Sequence, residues 1–147
     1  MVIEHDYLGK AARAKHDAQA AVKEKNFDLA WRNFHIQKDY YLKHATRCGF
    51  TLKQTLSLDS SVHEDMANVL RIEGRHLQAF TDILYWVIAQ SGRPIKRHNT
   101  KLKAYFNRCK FKNVSFDAVE KFAQSQYENP DFFTARNKVQ EWKEQEK

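Results

Sequence analysis

Apolar residues recur at three- and four-residue spacing along almost the whole chain. The first run is Tyr7, Ala11, Ala14, Ala18, Ala21 and Val22, which is one face of an α-helix. Its small Ala side chains allow a second helix to approach closely. The pattern breaks at Lys25-Asn26 and resumes as Phe27, Ala30, Phe34, Tyr41 and Ala45. Asn26 is the expected N-cap of this second helix, Asp28 favours its positive end, and Gly49 is the expected stop. The segment FTLKQTLSLDS (50–60) reads as a connector. Ser61 and Glu64 form a capping-box pattern that opens a long helix with Met66, Val69, Leu70, Leu77, Phe80, Ile83, Leu84, Val87 and Ile88 inward. Gly92-Arg93-Pro94 is its expected end.

Leu102, Tyr105, Phe106 and Cys109 then fall at i, i+3, i+4 and i+7, which predicts a short amphipathic helix. Its expected cap is Asn99 or Thr100 and its expected stop Asn113. Ser115 is placed to cap a helix carrying Phe116, Val119, Phe122 and Ala123. Asn129-Pro130 reads as the start of a last helix with Phe132, Ala135, Val139 and Trp142 inward. The expected fold is therefore all-α: one domain over 1–147, a bundle of five to six mostly antiparallel helices. Its parts are an N-terminal hairpin (1–49), a connector (50–60), a long central helix (61–92), a basic segment with a short helix (93–113) and a C-terminal helix pair (114–147).

Within the hairpin, residues 14–42 resemble a single tetratricopeptide unit. The turn Lys25-Asn26-Phe27-Asp28 followed by Ala30 and Phe34 matches that repeat after its first helix, and Ala18 and Ala21 occupy its small positions. The resemblance implies a helical hairpin. The chain carries no second copy of the repeat, and its closing Pro is replaced by Leu42.

Composition supports a folded domain: 147 residues, 42% hydrophobic and 13% aromatic, with four Gly and two Pro. The start MVIEHDYLGK lacks the apolar run of a secretory signal, and the apolar run ILYWVIA is too short to span a bilayer. Cys48 and Cys109 stand alone, without a metal-binding spacing. The expectation is a reduced cytoplasmic protein with packed thiols and no membrane association.

Charge changes the picture more than composition does. Arg93, Lys96, Arg97, Lys101, Lys103, Arg108, Lys110 and Lys112 contribute eight cations, and no acid occurs between Asp82 and Asp117. The remaining 17 cations face 18 acids, so the net +7 of the chain resides in this band. A field of one sign concentrated in one segment marks a place for an anionic partner, either an acidic protein surface or a nucleic-acid backbone. These eight residues are the expected binding set.

Other constellations point elsewhere. Arg93-Pro-Ile-Lys-Arg-His98 resembles the Arg-x4–6-His motif of small all-α HEPN ribonucleases, which implies His98 moving a proton at a 2′-hydroxyl while Arg93 stabilises phosphoryl charge. This metal-independent ribonuclease is the alternative function, and a homo-oligomeric structural protein is a third. Glu73-x-x-His76 resembles half of a di-iron carboxylate site, but no second Glu-x-x-His occurs, so neither a metal nor a cofactor is expected. Glu73 also interrupts an apolar face between Leu70 and Leu77. It is either a rim residue or a buried polar point. Trp31, Tyr40, Tyr41, Tyr85 and Trp86 outnumber what one stripe buries, which leaves an aromatic patch or dimer interface open.

Overall fold

The computed structural model describes residues 6–92 and 95–146. Among these it has seven helices and no strand: α1 (Tyr7–Lys23), α2 (Phe27–Cys48), α3 (Leu52–Ile72), α4 (His76–Ala89), α5 (Lys96–Arg108), α6 (Phe116–Ser125) and α7 (Phe132–Gln145). The all-helical class agrees with the sequence reading. The helix number exceeds it because one stretch expected as a single helix is two; the stretch expected as a connector is also helical, but it lengthens α3 and adds no helix.

The first hairpin follows its sequence signals closely. Asp6 and Asn26 cap α1 and α2 by accepting the amides of Gly9 and Leu29. Gly49 ends α2 in the left-handed conformation at φ 69°. Such a backbone costs glycine little and any residue with a Cβ more. Ala11, Ala14, Ala18 and Ala21 are all buried where α1 packs on α2.

The segment expected as a connector is the first part of α3. Its true cap is Thr51, whose hydroxyl accepts the Gln54 amide while the Gln54 side chain accepts the Thr51 amide. Ser61 is inside the helix, and its hydroxyl donates to Leu58 O at 2.6 Å. The expected single helix over 61–92 breaks at Glu73-Gly74-Arg75, with Gly74 at φ 79°. Apolar periodicity misses this break because Leu70 and Leu77 are seven residues apart, which is nearly two turns. Glu73 is exposed at the C-cap of α3, so it is a rim residue.

Three other expected caps differ. Lys96 opens α5, and in place of Asn99 or Thr100 it is the His98 ring that accepts the Ile95 amide. That helix ends at Arg108, before Asn113, with Lys110 at φ 55°. Asp131 rather than Asn129 caps α7, through the amide and hydroxyl of Thr134. The expected end at Gly92-Arg93-Pro94 lies partly outside the described residues; α4 itself stops at Ala89.

Two apolar cores result. One joins α1, α2 and α3 around Phe34, Val62, Met66 and Val69. The other surrounds α4, with Phe80, Ile83, Leu84, Trp86, Leu102, Phe106, Val119 and Trp142. Trp31 packs against both. Tyr85 and Trp86 are 2% and 1% exposed, so these two belong to the core and not to an aromatic surface patch. No helix among the described residues is long and apolar enough to cross a membrane.

Candidate functional site

The basic band does not form one face. At about 100° per residue, Arg97, Lys101 and Arg108 fall on one flank of α5, with Lys96 and Lys103 on the other; Lys110 and Lys112 follow the helix. Arg93 lies outside the described residues. On the first flank, Glu64 of α3 accepts from Arg97 at 3.3 Å and from Lys101 at 2.7 Å. The same two cations stand over the Trp86 ring at 5.6 and 5.8 Å. Lys103 lies over Phe116 and Arg108 over Tyr105. The side chains of Lys96, Lys103, Arg108, Lys110 and Lys112 are exposed and form no ion pair among the described residues, while Glu146 accepts the backbone amides of Lys112 and Asn113.

His98 is spent on structure. Its ring is 5% exposed and stands edge-on to Trp86 at 4.5 Å. Nδ1 accepts the Ile95 amide at 3.3 Å and Nε2 is 3.0 Å from Gln90 Oε1. Burial first, then the adjacent Arg97 charge, holds its pKa below the usual imidazole value. Both nitrogens that a ribonuclease would need for a 2′-hydroxyl therefore serve intrachain bonds.

A second constellation escaped the sequence reading. A cleft of about 640 Å³ runs between α2 and the α3–α4 pair, closed on one side by the start of α7. Phe27, Trp31, Met66, Leu70, Phe132 and Phe133 give it apolar walls. At its polar end, α2 contributes Lys38, α3 contributes Asp59 and His63, and α4 contributes Asp82. His63 Nδ1 is 2.6 Å from Asp82 Oδ1, and His63 Nε2 is 2.8 Å from Lys38 Nζ. Lys38 also pairs with Asp59 at 3.6 Å, and the buried Tyr85 donates its hydroxyl to Asp59 at 3.1 Å. Phe132 lies against both His63 (5.1 Å) and Tyr85 (5.6 Å).

The electrostatics follow from burial. The Asp82 side chain is 6% exposed and that of His63 4%. Burial pushes the Asp82 carboxyl up, and its bond to His63 opposes that shift. Burial, then the Asp59 charge, pushes the Tyr85 phenol up. His35, farther along the same wall, has its pKa lowered by burial and then by Lys38. Buried polar groups cost several kcal/mol unless every partner is in place. Here each ring nitrogen of His63 is met.

One sequence signal does point to this site. Asp82 is the only charge in the run LQAFTDILYWVIA (77–89), and an acid embedded in an apolar helix needs a buried partner. That partner, His63, lies 19 residues away on another helix, a distance periodicity cannot bridge. Glu73 and His76, by contrast, separate across the α3–α4 turn. No protein-family model, curated protein or solved structure matches the chain.

Proposed function

We propose that the protein is a small helical binding protein that docks an anionic partner, a nucleic-acid backbone or an acidic protein surface, on the cations of α5 and the loop after it. The observation that carries this reading is the exposure of the Lys96, Lys103, Arg108, Lys110 and Lys112 side chains, none in an ion pair among the described residues. Two further cations, Arg97 and Lys101, are oriented by Glu64 and Trp86. Cations held on a rigid helix lose less side-chain freedom on binding than cations on a loop. No groove-reading element accompanies them among the described residues, so contact is to phosphate or carboxylate charge and weakens steeply with salt.

The test is binding of fluorescent single-stranded nucleic acid and of polyglutamate, each in dilute and in near-physiological salt. Whichever polymer binds more tightly names the partner class. Lys103→Glu with Lys110→Glu should lower affinity and flatten its salt dependence. No binding in dilute salt, or binding indifferent to this charge reversal, overturns the reading.

A further inference from the structure

We propose that the cleft is a carbonyl-binding site in which Lys38 is the nucleophilic amine and His63 its base, so that an aldehyde or ketone with an apolar, aryl-type body is captured as an imine. The site is distinct from the cation-bearing α5 surface and stands or falls independently of it.

Three features converge. The first is the line Asp82–His63–Lys38, with heavy-atom distances of 2.6 and 2.8 Å. A carboxylate that orients an imidazole, which in turn contacts a nucleophile, is the arrangement by which proteins activate a weak nucleophile. Lys38 occupies the position where other such lines place a hydroxyl or thiol. The second feature is a destination for the proton. An imidazolium at His63 lies against Asp82 at 2.6 Å and within 3.8 Å of Asp59. Transfer from the Lys38 ammonium therefore moves the positive charge between carboxylates and does not strand it. The third is access: the Lys38 side chain is 20% exposed at the polar end of a cleft walled by Trp31, Phe132 and Met66. The lining also carries Asp28, Glu73, Arg75, Gln78 and Arg136, and such a cleft, with an aromatic wall beside convergent polar groups, suits a small organic molecule.

The chemistry balances within the residues named. Lys38 gives one proton to His63, and its nitrogen lone pair forms a bond to the carbonyl carbon. The C=O π pair moves to oxygen, which takes the proton back from His63. One of the two protons left on nitrogen then passes through His63 to the same oxygen. Water leaves as the C=N bond forms, and the product is a protonated imine. Its positive charge takes the place of the ammonium beside Asp59, so the ion pair of the resting site is conserved. The aromatic wall of the cleft, Trp31, Phe132 and Phe133, is the binding surface for the carbonyl compound's apolar body.

The proposal is tested by incubating the protein with benzaldehyde and with acetaldehyde at limiting concentration. Borohydride then reduces any imine to a stable amine, and peptide mass mapping locates it. Lys25 is exposed at the α1–α2 turn and serves as internal reference. Accessibility alone makes Lys38 slower than Lys25. The expected result is the reverse, with Lys38 modified about tenfold faster or more, and benzaldehyde preferred over acetaldehyde. His63→Gln and Asp82→Asn, each checked for retained helicity, should reduce Lys38 modification about tenfold or more while leaving Lys25 unchanged, in line with the usual worth of a positioned base. Equal or slower labelling of Lys38 in the unaltered protein overturns the proposal whatever the variants do. Undiminished Lys38 labelling in either folded variant overturns the role of His63 as base.

Discussion

Lys38 stands 2.8 Å from Nε2 of His63, and an ammonium only donates, so that nitrogen must hold a lone pair. The ring proton is then on Nδ1, facing Asp82 at 2.6 Å. We expect long-range nitrogen–proton NMR at neutral pH to show His63 as the Nδ1–H tautomer. Lys38→Met keeps most of the side-chain stem but leaves Nε2 without its donor and Asp59 without its cation. The expected loss is about 1–3 kcal/mol, read as a lower midpoint in urea. A variant as stable as the parent would mean that the Lys38–His63 contact is not kept in solution.

Glu64 has the opposite effect on the α5 cations, since it occupies two of them. Its carboxylate holds Arg97 and Lys101, whose side chains are 58% and 35% exposed, so the pairs contribute about 1 kcal/mol or less to stability. Glu64→Gln is therefore expected to melt within a few degrees of the parent. It should bind polyanions more tightly, and each freed cation that meets a phosphate of a single strand steepens the salt dependence by about 0.7 in the log–log slope. Unchanged affinity would show that this flank of α5 lies outside the docking surface.

How far the sequence disclosed these features depended on whether the signal was local. Caps at Asn26, Gly49 and Ser115 act within one turn, and each operates as its spacing implied. The inward set Leu102, Tyr105 and Phe106 is likewise buried. Leu52 misled the reading of 50–60, because it is 73% exposed and blurs the apolar face of the α3 start. The Gly74 break was hidden by a seven-residue spacing that keeps phase across it. Charge excess told of α5, but the division into two flanks required knowing where α5 begins. The cleft was invisible for a different reason. Lys38, His63 and Asp82 come from three helices, and their meeting is a property of packing alone.

His98 is expected to be a stability residue. Removing its ring leaves the Ile95 amide and Gln90 Oε1 without partners and opens space beside Trp86. His98→Ala should cost roughly 2–3 kcal/mol, or about 6–10 °C in Tm for a chain of this size. His98→Gln, whose amide can replace one bond, should recover part of that. RNA incubated with folded parent or variant should be equally intact; cleavage by the parent alone would restore the ribonuclease alternative.

Asp65 supplies a pH test with a definite sign. It lies on α3 with Lys15 of α1 at 3.9 Å. Burial raises its pKa above 3.8, and Lys15 only partly offsets this. A carboxyl raised on folding is most favourable to the fold while protonated, below its unfolded value, and that contribution is lost as pH climbs through the folded value. Asp65→Asn should thus be slightly more stable than the parent at neutral pH, by about 0.5 kcal/mol or less. The difference should vanish below pH 3.8. Melting curves across the acid range would reveal it, and a variant less stable at neutral pH would show that the Lys15 pair outweighs burial.

The two cysteines should differ sharply in reactivity. Both are free, Cys48 exposed and Cys109 half-buried, which corrects the expectation that both are packed. Cys109 Sγ lies 3.5 Å from the carbonyls of His76 and Tyr105, and burial pushes its thiol up to about 12. Thiolate is the reactive form, so at mildly alkaline pH Cys109 holds almost none. Cys48 lies in the last turn of α2 with His44 Nε2 at 3.7 Å and open to reagent. A disulfide reagent should titrate a single thiol quickly, with the second appearing only when denaturant unfolds the α4–α5 contact. Cys48→Ser should abolish the fast phase and leave the slow one. Two fast thiols in the native protein would mean that the end of α5 opens readily, and the anchoring of the basic helix through Tyr105, Phe106 and Cys109 would need revision.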